Sequence, residues 1–145
     1  FEDGNINLCN KILSNKLENI YLFQGNVLEF LDNLNINNFF NEVWILFPDP
    51  WPKERHHKRR LISNLFLKNI YNYIKPMGKL LIASDSPSYN RSTINLIYEY
   101  KHLYNWENQG FYEWNYDLLN LVTTKFNQKA IKSHRNSMFF KLIKI

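Results

Sequence analysis

The residues best equipped for chemistry stand together between Phe47 and Arg60, in the stretch FPDPWPKERHHKRR. Asp49 is a lone carboxylate among Pro48, Pro50, Trp51 and Pro52. Prolines fix their own φ and push the preceding residue toward extended conformations, so Asp49 is expected in a stiff loop. A carboxylate held that way accepts N–H donors and stabilises positive charge developing beside it. From Lys53 to Arg60, five cations (Lys53, Arg55, Lys58, Arg59, Arg60) face one anion, Glu54, a local +4 in a chain whose total is +5. The basic character is therefore a patch. A concentrated patch points to a polyanion, against the plainer alternative of a solvated helix start or a localisation tract. Asp85 is a second acid directly after a strand-like run, Lys79 to Ser84. His56 and His57 invite a metal reading, but no cysteine or acidic ligand at zinc-like spacing accompanies them, and no metal is expected. Cys9 is the single cysteine; it cannot form an intrachain disulfide, and with no His nearby an inert thiol in a reducing compartment is expected. The expected location is cytoplasmic, with an organelle left open.

The elements that must position these groups follow from hydrophobic periodicity. Glu42 to Phe47 is a short apolar run rich in strand formers, as in a strand buried on both faces of a parallel sheet. Asp49 then lies just past the strand's carboxyl end, where open α/β sheets bind ligands. Leu61 to Ile74 has helical spacing, and Lys75-Pro76-Met77-Gly78 is expected to end that helix. Lys79 to Ser84 reads as the next strand, with Asp85 at its tip and a helix from Pro87 to Tyr100; Asp85 can serve as that helix's N-cap and as a site residue at once. Upstream, the reading is a helix over Glu2 to Leu13, a strand over Asn19 to Gln24, a Gly25-Asn26 turn and a helix over Val27 to Leu34. Asn26 is either a turn residue or a side chain that reaches a ligand edge. Downstream, Tyr104 to Trp114 suggests a strand with a long connection. Thr123 to Ala130 looks like a capped helix start, and Ser137 to Ile145 a last, antiparallel strand in the region of the sheet edge. Strands alternating with helices predict a doubly wound α/β fold in a single domain spanning residues 1–145. A hydrophobic share of 45%, with 17% aromatic, supports a packed core. The Asn-rich stretch 33–41 is ascribed to compositional bias. No apolar stretch approaches the roughly 18 residues of a membrane span and the start lacks a signal-peptide layout, so no membrane partner is expected.

The string Phe47-Pro-Asp-Pro-Trp-Pro-Lys53, running into a His- and Arg-rich helix start, resembles the signature of the bacterial-type tRNA (guanine-N7)-methyltransferase family. The likeness follows almost the whole chain in order. It implies a Rossmann-like class I methyltransferase sheet, S-adenosylmethionine as cofactor, tRNA as partner, and methyl transfer to N7 of a guanosine in the variable loop. By that resemblance Asn26 sits in the cofactor turn, and Asp49 serves both the cofactor site and catalysis. Lys53 contacts substrate, and Arg55, His56, His57, Lys58, Arg59 and Arg60 form the RNA-contacting segment. Ser84-Asp85 with Tyr89 resembles a Thr-Asp…Tyr motif whose acid binds the target base; Thr124, Lys125, Phe126 and Asn127 resemble a motif lining the substrate site.

Two departures stand out. Asn127 occupies a place where the family has Glu, which removes a charge. The family's Gly-rich strand-turn-helix and the acid closing its second strand are not found in this sequence. Because the first strand of such a sheet is central, the expectation is a C-terminal portion of a longer chain. The rival readings are a non-catalytic RNA-binding paralogue and a subunit activated by a partner rather than a monomer. Trp51 remains open between stacking on a base and packing in the loop.

Overall fold

The computed structural model describes every residue except Phe1, Asp117, Leu118, Asn120 and Val122, with backbone alone at Glu2, Asp3 and Phe111. The chain forms two compact units, residues 1–34 and 35–145.

The larger unit is built on a four-stranded sheet. Its strands are β1 (Phe40–Leu46), β2 (Ile74–Ser84), β3 (Tyr104–Trp106) and β4 (Met138–Lys144), in the order β1-β2-β4-β3. β1 and β2 run parallel, and β4 is antiparallel to both β2 and β3. The crossover between the parallel pair contains α3 (Asn64–Tyr73), and α4 (Pro87–Glu99) follows β2. α3 starts where Ser63 Oγ accepts from Phe66 N at 3.2 Å, and it buries Phe66, Leu67 and Ile70. β2 is the central strand: every residue from Leu80 to Ser84 is buried, as its unbroken apolar run requires. Ile82 and Ala83 of β2, Leu67 of α3 and Phe140 and Leu142 of β4 are fully buried, and each large apolar side chain removed from water contributes about 1.5–3 kcal/mol. This is the α/β architecture the sequence predicts.

β1 is not covered on both faces as its apolar run suggests: it stands at the edge of the sheet, and of its residues only Ile45 is buried. Four further details differ from the expectation. Residues 75–78 do not terminate the helix outside the sheet; they belong to β2, which begins as α3 ends. The register jumps there, five steps along β2 matching two along β1 between the Phe40–Ile74 and Glu42–Lys79 pairs. Met77 takes a positive φ of 61°. A Cβ on Gly78 would meet Asn41 O and Lys75 O at 2.9 Å, so the glycine permits close backbone approach in a bulge rather than stopping a helix. The terminal strand β4 is antiparallel as expected but lies inside the sheet between β2 and β3. Residues Tyr104 to Trp114 give only the three-residue β3, followed by the short α5 (Phe111–Trp114).

The fourth difference lies in residues 1–34, which hold α1 (Glu2–Ser14) and α2 (Val27–Asp32). Asn19 to Gln24 is irregular, without a ladder partner among the described residues. Ile20, Tyr21, Leu22 and Phe23 are 42% to 91% exposed. Strand propensity becomes a strand only when a neighbour closes the backbone hydrogen bonds. Among the described residues no helix is long and apolar enough to cross a membrane.

Candidate active site

The parallel register of β1 and β2 sets the geometry. Leu46 stands opposite Ala83, and Phe47 N donates to Ala83 O at 2.8 Å. Asp49 and Asp85 therefore leave neighbouring strands at the same end of the sheet, three and two residues beyond that pair. The Asp49 carboxylate is exposed and has no hydrogen bond or ion pair to the described residues.

The loop around Asp49 is strained on both sides. Phe47 has φ 53° and Trp51 φ 41°, left-handed conformations that cost an aromatic residue about 1–3 kcal/mol and persist only where surroundings hold them. The Phe47 ring is buried and meets Tyr116 edge-on at 5.5 Å. Trp51 is gripped between the His56 ring at 5.7 Å and the Arg59 guanidinium at 4.9 Å. The expected stiff loop is present, and its stiffness comes from packed aromatics as much as from proline.

Asp85 is not the N-cap of α4. Ser86 holds that position without a side-chain cap bond, and Asp85 Oδ2 instead accepts from Arg135 Nε at 2.8 Å. The pair is partly exposed, so its value is directional rather than a large source of stability. Asp85 and Arg135 border a cavity of about 450 Å³ also lined by Asn90, Trp114, Asn115 and Met138. Asn90 is 4% exposed; its Nδ2 donates to Ser84 O at 3.2 Å while its Oδ1 has no partner among the described residues. The cavity therefore offers the Asp85 carboxylate as an acceptor, suited to a ligand that presents N–H groups.

The Thr124-to-Asn127 segment is anchored at the same end of the sheet. Thr124 Oγ1 accepts from Asn127 N at 3.0 Å and caps α6 (Lys125–Lys132). Asn127 Oδ1 accepts from Ser137 Oγ at 2.7 Å, and Ser137 directly precedes Met138, which pairs with Ser84. Asn127 is 2% exposed. The neutral amide thus makes a buried bond where a carboxylate would carry a desolvation cost. Lys125 and Phe126 are exposed, with Lys129 Nζ 5.7 Å from the Phe126 ring. Asn127→Ala is expected to lower the unfolding free energy by about 1–3 kcal/mol, because Ser137 loses its buried acceptor; a denaturant titration of the two proteins measures it.

The basic run divides. Glu54–Arg59 forms a 3-10 turn from which Arg55, Lys58 and Arg59 are exposed, as is Lys53 before it; His56 and His57 are half-buried. Arg60 corrects the expectation for the segment: it is 6% exposed and turned inward, each of its three guanidinium nitrogens bonded to a protein oxygen. Beneath it lies Tyr89, whose hydroxyl accepts from Ile62 N at 3.0 Å. Burial pushes the Tyr89 phenol up to about 12, the Asp49 carboxylate acting in the same direction and Arg60 against it. Tyr89 is thus within electrostatic reach of Asp49 and four residues beyond Asp85.

Asn26 caps α2 in the other unit, its Oδ1 accepting from Leu28 N at 2.9 Å. Cys9 is exposed. Among the described residues no three His, Cys, Asp or Glu side chains converge on a metal-sized site. Sequence reasoning missed Arg135 and Asn90, which carry no local signal. It misplaced Arg60, whose only hint is the apolar Leu61-Ile62 pair that follows.

A family model described as "Putative methyltransferase" matches residues 2–140. A tRNA (guanine-N(7)-)-methyltransferase of Buchnera aphidicola subsp. Baizongia pistaciae is 38% identical over 115 residues, covering 79% of this chain and 47% of the relative. One from Ruegeria sp. is 28% identical over 135 residues, 93% of this chain and 52% of the relative. A bifunctional methyltransferase of Rickettsia felis is 35% identical over 137 residues, 94% of this chain and 25% of the relative. The chain spans about half the length of the first two.

Proposed function

Since the chain belongs to the methyltransferase family whose model covers it from residue 2 to 140, we propose that it transfers a methyl group from S-adenosylmethionine to N7 of a guanosine in the tRNA variable loop. The observation that carries this reading is the placement of Asp49 and Asp85 at adjacent strand tips, followed in the chain by an exposed cationic turn.

Guanine N7 has a lone pair and carries no proton, so the attacking atom needs no general base. Orientation of the reactants then dominates, an effect that can supply several kcal/mol. The bound cofactor supplies an electrophilic methyl on a sulfonium. The donor set suits such a group: Asp49 presents a carboxylate that no described residue occupies. As the methyl arrives, the purine becomes cationic. Asp49 is an anion placed to stabilise that charge. Asp85, kept in one orientation by Arg135, accepts from the N–H edge of the base, with Thr124, Lys125 and Phe126 bordering the substrate and Asn127 holding the Thr124 turn in place. Lys53, Arg55, Lys58 and Arg59 bind tRNA phosphates, with His56 and His57 shaping the turn. Trp51, held edge-on by His56 and covered by Arg59, acts as a wedge in the loop. The setting of the reaction is the cytoplasm.

The direct test incubates the full-length protein with tRNA and S-adenosylmethionine, then digests the tRNA to nucleosides for mass spectrometry. N7-methylguanosine at a variable-loop position is expected. A chain that binds tRNA yet neither binds the cofactor nor forms that nucleoside would instead be an RNA-binding module.

A further inference from the structure

Arg60 closes a sequence run that looks made for phosphate, yet it makes no use of solvent. Its Nε donates to Pro50 O at 2.9 Å. Nη1 donates to Ser92 Oγ at 2.9 Å and to Ser88 O at 3.3 Å, and Nη2 to Ser88 Oγ at 3.0 Å. The guanidinium carbon lies 5.2 Å from the centre of the Tyr89 ring. One end of this fork therefore holds the carbonyl of Pro50, the residue immediately after Asp49. The other holds the first turns of α4, immediately after Asp85. The two segments are about forty residues apart in sequence, and no strand pairing reaches either of them, because the β1–β2 ladder ends at the Leu46–Ala83 pair.

We propose that Arg60 is a positioning residue: a latch that sets the spacing between the loop bearing Asp49 and the turn bearing Asp85. The proposal rests on the methyl-transfer reading of the site, and it assigns Arg60 no contact with RNA. Planarity suits the guanidinium to this work, because its donors diverge at fixed angles and can span a carbonyl on one segment and hydroxyls on another. Burial against Tyr89 raises the cost of leaving any donor unpaired, so the closed arrangement is favoured as a unit. The strain at Phe47 and Trp51 gives the latch its purpose. A loop with two left-handed aromatic residues relaxes if nothing holds its far side, and Asp49 would then lose its relation to Asp85.

The serine variants Ser88→Ala and Ser92→Ala, made together in the full chain, test this without removing the buried cation; Arg60→Lys keeps charge but cannot span both segments. For both proteins kcat is expected to fall about 10-fold or more, while KM for tRNA stays within about two-fold. Amide hydrogen exchange at Asp49, Trp51 and Lys53 is expected to quicken about 10-fold while β2 amides are unchanged. A raised KM with unchanged kcat would make Arg60 a phosphate contact and overturn the proposal, as would unchanged exchange in the loop. If the parent chain transfers no methyl group, the functional reading fails separately, and the exchange experiment still decides whether the latch exists. Should Arg60→Lys lose its cooperative thermal transition, the serine pair alone is decisive.

Discussion

Asp49→Asn is expected to reduce the initial rate of methyl transfer to tRNA by about 10²–10³-fold, the size of effect seen when one preorganised electrostatic partner of a developing charge is removed. The substitution keeps shape and polarity and deletes only the negative charge. Asp49 is exposed and unbonded to described residues, so the unfolding free energy should move by no more than about 0.5 kcal/mol. Rate loss with an intact fold thus isolates the chemistry from the scaffold. Asp49→Ala should be no more active than the asparagine variant. A rate within two- or three-fold of the parent, at saturating tRNA and cofactor, would remove Asp49 from the reaction and leave the cationic turn as the principal functional feature.

The second large effect concerns the turn itself. Replacing Arg55, Lys58 and Arg59 together by alanine is expected to weaken tRNA binding by about 10²–10³-fold near physiological salt, and to make the plot of log affinity against log salt shallower by about 2–3. All three are exposed on one short turn, so their removal leaves the buried core untouched. Arg59 has a second duty through its contact with Trp51, and the Arg55→Ala, Lys58→Ala double variant separates phosphate binding from loop support. A salt slope that does not change would mean that tRNA approaches another face. Arg60 belongs outside this set: its guanidinium is buried and bonded to neutral carbonyl and hydroxyl oxygens, so the exposed turn carries Lys53, Arg55, Lys58 and Arg59 against Glu54.

The contrast between Arg59 and Arg60 shows where reading residues in a row stops being informative. Both are arginines ending the same basic run. Burial separates them, and burial depends on what α4 places above the turn. Asp85 illustrates the same point. Its position after a strand and before a helix made an N-cap plausible, because capping is decided within a few residues; the side chain turned instead to Arg135, fifty residues away. Thr124 did cap its helix as expected, its hydroxyl accepting from Asn127 N three residues on.

What the amino-acid sequence determined by itself is the part governed by short range. The apolar runs that became β1 and most of β2, the helical spacing of α3, the start of α4 soon after Asp85, the proline-stiffened loop carrying Asp49 and the placement of both acids just beyond strand ends all rest on interactions within one or two turns or one pleat. Features that need a partner distant in the chain took shape only as the fold closed. The ladder that Asn19 to Gln24 lacks, the interior place of β4, the bulge requiring Gly78, the Arg135–Asp85 pair and the inward turn of Arg60 are of this kind. Local conformational preference is written in neighbouring residues, whereas burial and hydrogen-bond partnership are properties of a surface that exists only after distant segments have met.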